Sequence, residues 1–384
     1  MRRLNELIQT LCPNGVPFVE LGTIAKGEKE RNKGKQCDLA FSITKGGLVK
    51  TSDYFKDATV TSEDTSGYKI VRKNWFVYSP SRIDVGSINY LKDEEMVIVS
   101  PLNVVFSICE NKILPQYLLY FLQSRSGTWQ ILTKREGIEG TGRKLLPFER
   151  FSTIILPLPP IEIQREVVKI LDNFENLISE LTAELTVRKQ QYEHYRNVLL
   201  TFDGNTRFEK LGISCNMKSG KAIQAAQIAG KPTENTPYAC FGGNGIRGYV
   251  SHASHHGDFP IIGRQGALCG NINYATGDFY ATEHAVVVES KGDYLQRFLY
   301  YLLISMNLNQ YKSQGAQPGL AVGNLENLIA PVPSIKEQEH IVSILDRFEA
   351  ICNDLSAGLP AEIEARQKQY EYYRDKLLSF KKKE

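Results

Sequence analysis

The sequence predicts an α+β protein in which two mixed α/β units alternate with two long helices. Three observations predict this class: one long segment occurs twice, both copies carry a heptad of mainly apolar residues, and short β-rich runs separate them. With 384 residues the chain exceeds the usual size of one core, which favours several domains. A hydrophobic content of 42% with 23% charged residues is typical of a folded soluble protein.

The duplicated segment is long and specific. The stretch PLPPIEIQREVVKILDNFENLISELTAEL from Pro157 matches PVPSIKEQEHIVSILDRFEAICNDLSAGL from Pro331. Further along, RKQQYEHYRNVLL at 188–200 shares eight of thirteen positions with RQKQYEYYRDKLL at 366–378. Repetition on this scale marks repeated supersecondary units, so we expect a chain made of two similar halves.

Both copies are predicted to be helices that form a coiled-coil seam, because their apolar residues recur at alternating spacings of four and three. With one polar interruption, the first copy has Val167, Leu171, Phe174, Ile178, Leu181, Leu185, Arg188, Tyr192, Tyr195 and Leu199. The second has Ile341, Leu345, Phe348, Cys352, Leu355 and Leu359, then, after four extra residues, Arg366, Tyr370, Tyr373 and Leu377. We expect the first helix to run unbroken for about 40 residues. The second should break or kink near Gly358 and Pro360.

The segments between the helical repeats are predicted to be mixed α/β units. Short β-rich runs such as NWFVYSP, MVIVSP, FPIIG and EHAVVVES are separated by turns rich in Gly, Asn, Asp and Ser. Each unit closes on a helix-like segment, ILPQYLLYFLQSR or YLQRFLYYLLISM, and each carries a related motif, GSINY at 86–90 or GNINY at 270–274. The predicted domains are 1–156, 157–203, 204–330 and 331–384.

Cysteine usage and the N-terminal residues predict a cytoplasmic protein. The seven cysteines form no CxxC pair, which argues against a zinc site or a disulfide framework and for a reducing compartment. Residues 1–15 are too polar for a signal peptide. The longest apolar stretch, FLYYLLISM at 298–306, is far shorter than a membrane span.

Charge is distributed unevenly along the chain. Residues 1–160 carry 22 basic against 17 acidic side chains, and residues 207–330 carry 10 against 8. The helices are acidic instead, with 5 basic against 7 acidic side chains in 161–200 and 6 against 9 in 335–380. This distribution is expected if the globular units meet a polyanion and the helices meet protein. Solvated surfaces alone would explain differences of this size equally well.

A search for catalytic motifs finds no complete one. The loop FGGNG at 241–245 resembles a glycine-rich loop of adenosylmethionine-dependent methyltransferases, but the NPPF- or DPPY-like tetrapeptide that such enzymes need does not occur. We therefore expect a tight turn there. KSGK at 218–221 lacks the first glycine of a phosphate-binding loop. His252, His255 and His256 have no partner at metal-ligand spacing, which favours a polar loop.

The alternation of variable units with duplicated helices resembles the specificity subunits of type I restriction–modification systems. The residues that carry this resemblance are the helix start PLPP-x-x-x-Q, the helix ends YEHYRNVLL and YEYYRDKLL, and LTAEL at 181–185. The resemblance extends over the whole chain, and the duplicated helix motifs are its most distinctive part.

The resemblance implies that the globular units are target-recognition domains, each reading one half of a split sequence in double-stranded DNA. The helices would pack as an antiparallel coiled coil that acts as a spacer and docks two modification (methyltransferase) subunits. S-adenosylmethionine would belong to those methyltransferases, and ATP and Mg to a separate restriction subunit with motor and nuclease activity. The chain itself would need no cofactor or metal and would not be an enzyme. The stretch Arg3–Leu11 is expected to pack near the C-terminal helix.

Three alternatives stay open at this point. A related complex could fuse methyltransferase and nuclease in one partner, and separate neighbouring genes for the two would exclude it. A coiled-coil scaffold without a role in DNA recognition would show no salt-dependent binding to duplex DNA. A stand-alone methyltransferase would bind adenosylmethionine as an isolated chain.

The side chains expected at DNA are cations and amides of the globular units, because Lys and Arg bind phosphates while Arg, Lys, Asn and Gln read base edges. They are Lys26, Lys29, Arg31, Lys33, Lys35, Arg82, Arg143 and Lys144 in the first unit, and Lys218, Lys221, Arg247, Arg264, Gln265 and Gln317 in the second. For docking of the methyltransferases the expected residues are Arg196 and Arg374, which follow the last tyrosine of each YExYR motif. A solvated surface side chain is the alternative for each.

Overall fold

The computed structural model describes residues 2–55, 64–137, 144–266, 268–313, 318–353 and 357–383. By its internal contacts the chain divides into unit 1, Met1–Leu181 with Ile363–Glu384, and unit 2, Thr182–Glu362. Leu355, Arg143 and Gln317, which the sequence analysis singled out, lie outside the described residues. No helix in these described ranges is long and apolar enough to cross a membrane.

Unit 1 contains most of the first half of the chain. Its helices are α1 (Arg2–Leu11), α2 (Thr51–Tyr54), α3 (Pro115–Gln123), α4 (Arg125–Lys134), α5 (Phe148–Phe151) and the first part of α6 (Ile161–Leu199). Its strands are β1 (Phe18–Glu20), β2 (Ala25–Glu28), β3 (Ala40–Thr44), β4 (Gly47–Lys50), β5 (Lys69–Arg72), β6 (Phe76–Tyr78), β7 (Ile88–Tyr90), β8 (Met96–Val99), β9 (Val104–Ile108), β10 (Glu136–Gly137), β11 (Lys144–Leu145) and β12 (Ile155–Pro157).

Unit 2 begins within α6. Its other helices are α7 (Leu211–Ser214), α8 (Gln296–Ser305), α9 (Val322–Glu326), α10 (Ile335–Asn353) and the start of α11 (Leu359–Leu377), which continues into unit 1. Its strands are β13 (Arg207–Lys210), β14 (Cys215–Ser219), β15 (Tyr238–Gly242), β16 (Gly245–Val250), β17 (His255–His256), β18 (Phe259–Gly263), β19 (Ile272–Ala275), β20 (Asp278–Ala281), β21 (Ala285–Ser290) and β22 (Ile329–Val332). Short 3-10 turns lie at Leu21–Thr23, Ile83–Val85, Ala225–Gln227 and Leu308–Tyr311.

The two units share one topology. Unit 1 has four-stranded sheets in the orders β2-β9-β6-β7 and β4-β3-β8-β5, and unit 2 has the matching orders β14-β21-β18-β19 and β16-β15-β20-β17. The neighbouring pairs in these four sheets are antiparallel except β3 with β8 and β15 with β20, which occupy the same place in the two units. A two-stranded sheet, β1 with β12 or β13 with β22, completes each set. The predicted duplication therefore extends beyond the helices to the sheets.

One buried helix packs against the larger apolar core of each unit. In unit 1 six consecutive residues of α3, from Tyr117 to Leu122, are buried together with Phe76 and Phe106 of the first sheet. In unit 2 the helix α8 takes this role, and Phe298 and Leu299 are fully buried. These are the two helix-like segments that the sequence predicted, and their apolar residues surround the helix because it is buried on most sides.

The helical repeats differ as predicted. The first copy is one unbroken helix of 39 residues, α6, with an acidic first turn and a basic last turn that suit the helix dipole. The second copy is two helices, α10 and α11, each of 19 residues, and Leu359 and Pro360 open α11. The break predicted near Gly358 and Pro360 is thus confirmed.

Aromatic heptad residues meet inside each unit. In unit 1 the ring of Phe174 stacks on Tyr373 with centroids 5.4 Å apart. In unit 2 Tyr195 stacks on Phe348 at 5.3 Å, and Tyr192 is buried beside it. Both heptad tyrosines thus contact Phe348 of the neighbouring helix within unit 2, Tyr192 as a buried and Tyr195 as an exposed residue.

The N-terminal segment packs near the C-terminal end of the chain, as expected. Leu4 of α1 is buried in the same apolar cluster as Leu377 and Leu378. Beyond α1, the amide of Val16 donates to the carbonyl of Lys381, and the amide of Lys383 donates to the carbonyl of Val16. These bonds attach the last residues of the chain to the beginning of unit 1.

Candidate nucleic-acid interface

Unit 1 has a cleft of about 510 Å³, here called cleft 1, at the end of the β3–β4 hairpin. Hydroxyl, amide, cationic and aromatic side chains surround it: Phe41, Ser42, Thr44, Lys45, Thr51, Tyr54, Phe55, Tyr68, Ser79, Arg82, Ser87, Ser100 and Asn103, with Ile43, Val85 and Leu102. Tyr54, Phe55 and Leu102 are exposed although they are large and apolar. Such groups next to convergent polar side chains are typical of a binding surface.

Unit 2 has a cleft of about 450 Å³, here called cleft 2, at the end of the β15–β16 hairpin. Its lining residues are Gly243, Asn244, Gln265, Gly266, His284 and Gly319. It lacks the aromatic residues of cleft 1, and three of its residues are glycines. Its polar side chains are two amides and an imidazole, which can both donate and accept hydrogen bonds.

The two clefts occupy the same place in the shared topology. Each lies between the turn of one hairpin, β3–β4 or β15–β16, and the connection between the two sheets, 100–103 or 282–284. The third wall follows β6 in unit 1 and β18 in unit 2. The duplicated framework therefore presents two equivalent clefts whose linings differ in chemistry.

The basic segment predicted at 26–35 lies on the surface of unit 1. Lys26 lies within β2 and Lys29 directly follows it, and Arg31, Lys33 and Lys35 are exposed in the following loop. The loop is held by one buried residue, Asn32, whose amide accepts from the Cys37 N–H at 3.1 Å and donates to the Cys37 carbonyl at 2.8 Å. This arrangement fixes the loop, and the guanidinium of Arg31 also donates to the carbonyl of Gly67 at 2.6 Å, while Lys33 and Lys35 are exposed.

Sequence reasoning missed Lys69, which connects this basic loop with cleft 1. Lys69 is half-buried and its Nζ donates to the carbonyl of Asn103, a cleft residue, at 2.6 Å. Burial lowers the pKa of Lys69, and the positive charges of Arg31 and Lys29 lower it further. Cations that repel one another in this way attract a bound anion. No pattern in the strand KIVR distinguishes this lysine from an ordinary solvated one.

The remaining predicted cations of unit 1 lie in two places. Arg82 lines cleft 1 and is exposed. Lys144 is exposed in β11, and its carbonyl accepts from the guanidinium of Arg135 at 3.0 Å. Arg135 also forms an ion pair with Asp84 at 2.6 Å, which holds the 3-10 turn beside Arg82. The structure thus brings Arg82, but not Lys144, to the cleft.

In unit 2 one predicted residue, Gln265, lines cleft 2 and is exposed. Its neighbour Arg264 is half-buried and donates to the hydroxyl of Ser219 at 2.8 Å, so it supports the cleft wall from behind. Lys218 and Arg247 are exposed but lie in strands, β14 and β16, rather than in loops. Lys221 is exposed just after β14.

The position of Lys221 depends on the preceding residue, Gly220. A Cβ on Gly220 would lie 2.0 Å from the carbonyl oxygen of Ala281, so only glycine allows this close approach. The amide of Lys221 donates to the same carbonyl at 3.0 Å, which holds the segment against the end of β20. In the segment KSGK, which lacks the first glycine of a phosphate-binding loop, the glycine thus allows a close backbone crossing.

The two arginines predicted for partner docking are half-buried. The guanidinium of Arg196 lies over the ring of Tyr192, 5.4 Å from its centroid, and Arg374 lies over Tyr370 at 5.3 Å. The duplicated YExYR motif therefore makes the same cation–π contact in each unit. One face of each guanidinium is committed to the helix that carries it.

The histidines considered as metal ligands are engaged in packing. His255 stacks on Phe279 with centroids 5.3 Å apart and pairs with the hydroxyl of Ser254 at 2.8 Å. His256 pairs with Asp278 at 2.7 Å. Among the residues that the structure describes, no group of three or more His, Cys, Asp or Glu side chains could hold a metal ion.

Comparison with known proteins identifies the family. The family model of the type I restriction modification DNA specificity domain matches residues 15–187 and 209–365. The chain is 46% identical over 220 residues to the EcoprrI specificity subunit of Escherichia coli, a match that covers 54% of this chain and 55% of that protein. It is 31% identical over 308 residues to the EcoR124I/EcoR124II specificity subunit of the same species, covering 74% and 76%.

A solved structure supports the fold. The type I S subunit from M. genitalium is similar with a TM-score of 0.60 at 14% sequence identity, over 95% of this chain and 96% of that one. At this identity the likeness concerns the fold alone. The family match extends over both units and both clefts. The chain belongs to the family of type I restriction–modification specificity subunits.

Proposed function

We propose that this chain reads a bipartite DNA target, one half-site with each unit, for a type I complex that methylates adenine. The observation that carries the proposal is the pair of clefts at one place in a duplicated topology with different linings. Two units with the same topology can each bind a segment of DNA duplex, because the two segments have the same shape. Different side chains at the same place suit two different sequences.

The charge around cleft 1 supports DNA as the ligand. Lys29, Arg31 and Lys69 lie close enough for the two exposed cations to lower the pKa of Lys69 beyond the effect of burial. Arg82 and Lys45 add cations at the cleft itself. Phosphates would be held by the basic loop, while the cleft side chains would face base edges. Aromatic side chains such as Tyr54 would add contact area next to these polar groups.

The helices would dock the modification subunits. Contacts within unit 2 suit an antiparallel pair: Phe348 stacks on Tyr195, whereas the later residue Cys352 lies near the earlier residues Lys189 and Arg188. Burial raises the pKa of the Cys352 thiol, and the charges of those two cations partly oppose it. An antiparallel coiled coil with a duplicated YExYR motif would offer two similar sites, one for each copy of one partner.

In this arrangement the chain is a non-catalytic reader. The modification subunits would hold S-adenosylmethionine, and restriction subunits would use ATP and Mg. By binding DNA next to the methyltransferase, the chain would position that enzyme on the DNA and select the sequence to be methylated. These partners and ligands go beyond what the family membership states, and they are part of the proposal.

The direct experiment is to coexpress the full chain with the type I modification subunit of the same genome and to map adenine methylation. We expect one split motif with two defined half-sites and a gap of fixed length. A continuous motif, or no methylation above that of the modification subunit alone, would contradict the proposal. Calorimetry on the purified chain should detect no tight binding of S-adenosylmethionine, and such binding would contradict the role of non-catalytic reader.

A further inference from the structure

The repeated motifs GSINY and GNINY place one asparagine at the same position of each unit. Asn89 lies in β7 opposite Val77, and Asn273 lies in β19 opposite Ile261. Both strands are at the edge of the first sheet of their unit. The register of the two sheets therefore superposes these asparagines, although 184 residues separate them in the sequence.

Each asparagine touches the hairpin of the other sheet. A Cβ on Gly47, at the end of the β3–β4 turn, would lie 2.6 Å from Nδ2 of Asn89. A Cβ on Gly245, at the end of the β15–β16 turn, would lie 2.9 Å from Oδ1 of Asn273. Both glycines have positive φ angles, +112° and +90°, which other residues rarely adopt, and the end of the asparagine side chain lies close to each glycine backbone. The same pair of residues thus packs together between the two sheets in each unit.

In unit 2 the motif makes a second contact with the turn. The side-chain amide of Asn271 donates to Oδ1 of Asn244 at 3.2 Å. Asn244 is one of the two central residues of the β15–β16 turn and lines cleft 2. The GNINY motif therefore holds both the last residue of the turn and the side chain at its tip.

The buried parts of the two turns are alike, and their exposed tips differ. Gly47 and Gly245 are buried, whereas Lys45 and Asn244 are exposed at the tip and line clefts 1 and 2. Two units that bind different DNA sequences require turns whose buried parts are alike and whose exposed side chains differ. We propose that these turns read bases, one in each half-site, and that Asn89 and Asn273 are positioning residues that hold them. The assignment rests on the proposed function.

The hydrogen-bonding groups at the tip of each turn match one type of base. The ammonium of Lys45 is a donor only, so it matches the O6 and N7 acceptors of guanine in the major groove. The amide of Asn244 donates and accepts, so it matches the N7 acceptor and the N6 amino group of adenine. The carbonyl oxygen of Asn244 has a second lone pair, which allows it to accept from adenine while it accepts from Asn271.

The test uses the full chain coexpressed with the modification subunit of the same genome, with adenine methylation mapped across the genome. Lys45→Ala should reduce the preference for guanine at one position of one half-site by about tenfold, and the other half-site should keep its sequence. Asn244→Ala should do the same for adenine in the other half-site. Lys50→Ala, an exposed residue on the same hairpin that does not line cleft 1, and Asn205→Ala, an exposed residue after α6, are the matched controls.

The positioning role predicts a distinct pattern. Asn89→Ala should relax the same position as Lys45→Ala, and Asn273→Ala the same position as Asn244→Ala, each without affecting the opposite half-site. A purely structural loss would lower methylation at every site equally and would overturn the positioning role. Because Lys45 and Asn244 are exposed, their variants keep the proposal testable even if the Asn89 and Asn273 variants fold poorly.

The remaining outcomes separate this inference from the proposed function. A wild-type split motif that is unchanged in Lys45→Ala and Asn244→Ala overturns the assignment of the turns alone. Weaker methylation of all sequences with unchanged base preference overturns base reading as well, since it is the behaviour of a phosphate contact. A wild-type complex that methylates no split sequence overturns the proposed function and this inference together.

Discussion

Gln164 and Gln338, which are 174 residues apart in the sequence, make the same three hydrogen bonds in the two units. Gln164 accepts from the amide of Leu114 at 2.9 Å and donates to the carbonyls of Lys112 and Pro159, both at 2.8 Å. Gln338 repeats this with the amide of Leu295 and the carbonyls of Asp293 and Pro333. Both glutamines are fully buried at the start of a long helix. They connect each helical repeat to the loop before α3 or α8.

Replacing either glutamine by leucine should destabilise its own unit. Gln164→Leu leaves one amide and two carbonyls without their partner in a buried place, and we expect a loss of about 2–4 kcal/mol in the free energy of unfolding. Urea denaturation followed by tryptophan fluorescence measures this, because Trp75 and Trp129 are both in unit 1. Hydrogen exchange at the amide of Leu295 gives the matching measurement for Gln338→Leu.

The control is Gln190→Leu, since Gln190 is exposed on the same helix α6. Its effect should stay within about 0.5 kcal/mol. If Gln164→Leu were as mild as this control, the three bonds would contribute little to stability and the duplicated glutamine would need another explanation.

Stability should fall at high pH partly because of Tyr90. Burial, together with the negative charges of Asp172, Asp93 and Glu175, raises the pKa of Tyr90 from 10.0 to about 12. The folded protein therefore keeps this proton at a pH where the unfolded chain has lost it, so the free energy of unfolding decreases from about pH 10 to about pH 12. Tyr90→Phe should show a shallower decrease over that interval in urea denaturation at several pH values.

Tyr372→Phe is the matched control, because the ring of Tyr372 is exposed. Its pH dependence should follow the wild type. An identical decrease in Tyr90→Phe and the wild type would contradict the role of Tyr90, and the alkaline loss would then belong to other groups.

The elements that the sequence predicted are those with regular spacing. The heptad predicted α6 and the break before α11, and the buried helices α3 and α8 followed from apolar runs bounded by turns. The residues that line each cleft have no regular spacing in the sequence, because three separate segments of the chain supply them. Phe41 and Phe241 pair with the ends of equivalent strands but lie 200 residues apart, whereas the helical repeats and the GSINY and GNINY motifs lie 174 to 184 residues apart. Insertions before β15 hid this correspondence.

Individual site residues were less predictable for a physical reason. Surface lysines such as Lys33 and Lys45 differ only in where the fold places them: the first lies in the basic loop, the second at the tip of a turn in cleft 1. In the sequence each is followed directly by a glycine, Gly34 or Gly46. Strand pairing, which involves distant residues, decides which cation reaches the cleft.

Reversing the charge of both arginines in the YExYR motifs tests the docking surface. Arg196→Glu with Arg374→Glu should reduce the amount of modification subunit that copurifies with the chain, because each change replaces a cation at one of two similar sites. The change also removes a cation–π contact with Tyr192 or Tyr370. Thermal unfolding of the isolated variant should therefore be measured beside copurification.

Lys189→Glu is the matched control, since Lys189 is exposed on α6 at a place where the second copy has Gln367. It should copurify as the wild type does. Unchanged copurification of the double variant would refute the docking assignment. Equal losses in the double variant and the control would assign the effect to overall charge rather than to the duplicated motif.

The length of α6 should determine the gap between the half-sites. The boundary between the units falls within this unbroken helix, after Leu181. Duplicating Leu181–Glu184 adds four residues, about 6 Å of helix and slightly more than one turn. At about 3.4 Å per nucleotide along a strand, we expect both half-site sequences to persist with one or two more base pairs between them. Adenine methylation mapping with the modification subunit measures the gap.

A second insertion separates helix length from chain length. The same four residues placed after Gly204, which lies beyond the end of α6 in open space, lengthen the chain but not the helix. That variant should keep the wild-type gap, because the contacts of the second half of α6 within unit 2 stay intact. In the first variant the heptad takes up the four residues as a stutter within the continuous helix. A gap that grows equally in both variants, or in neither, would show that α6 does not determine the spacing.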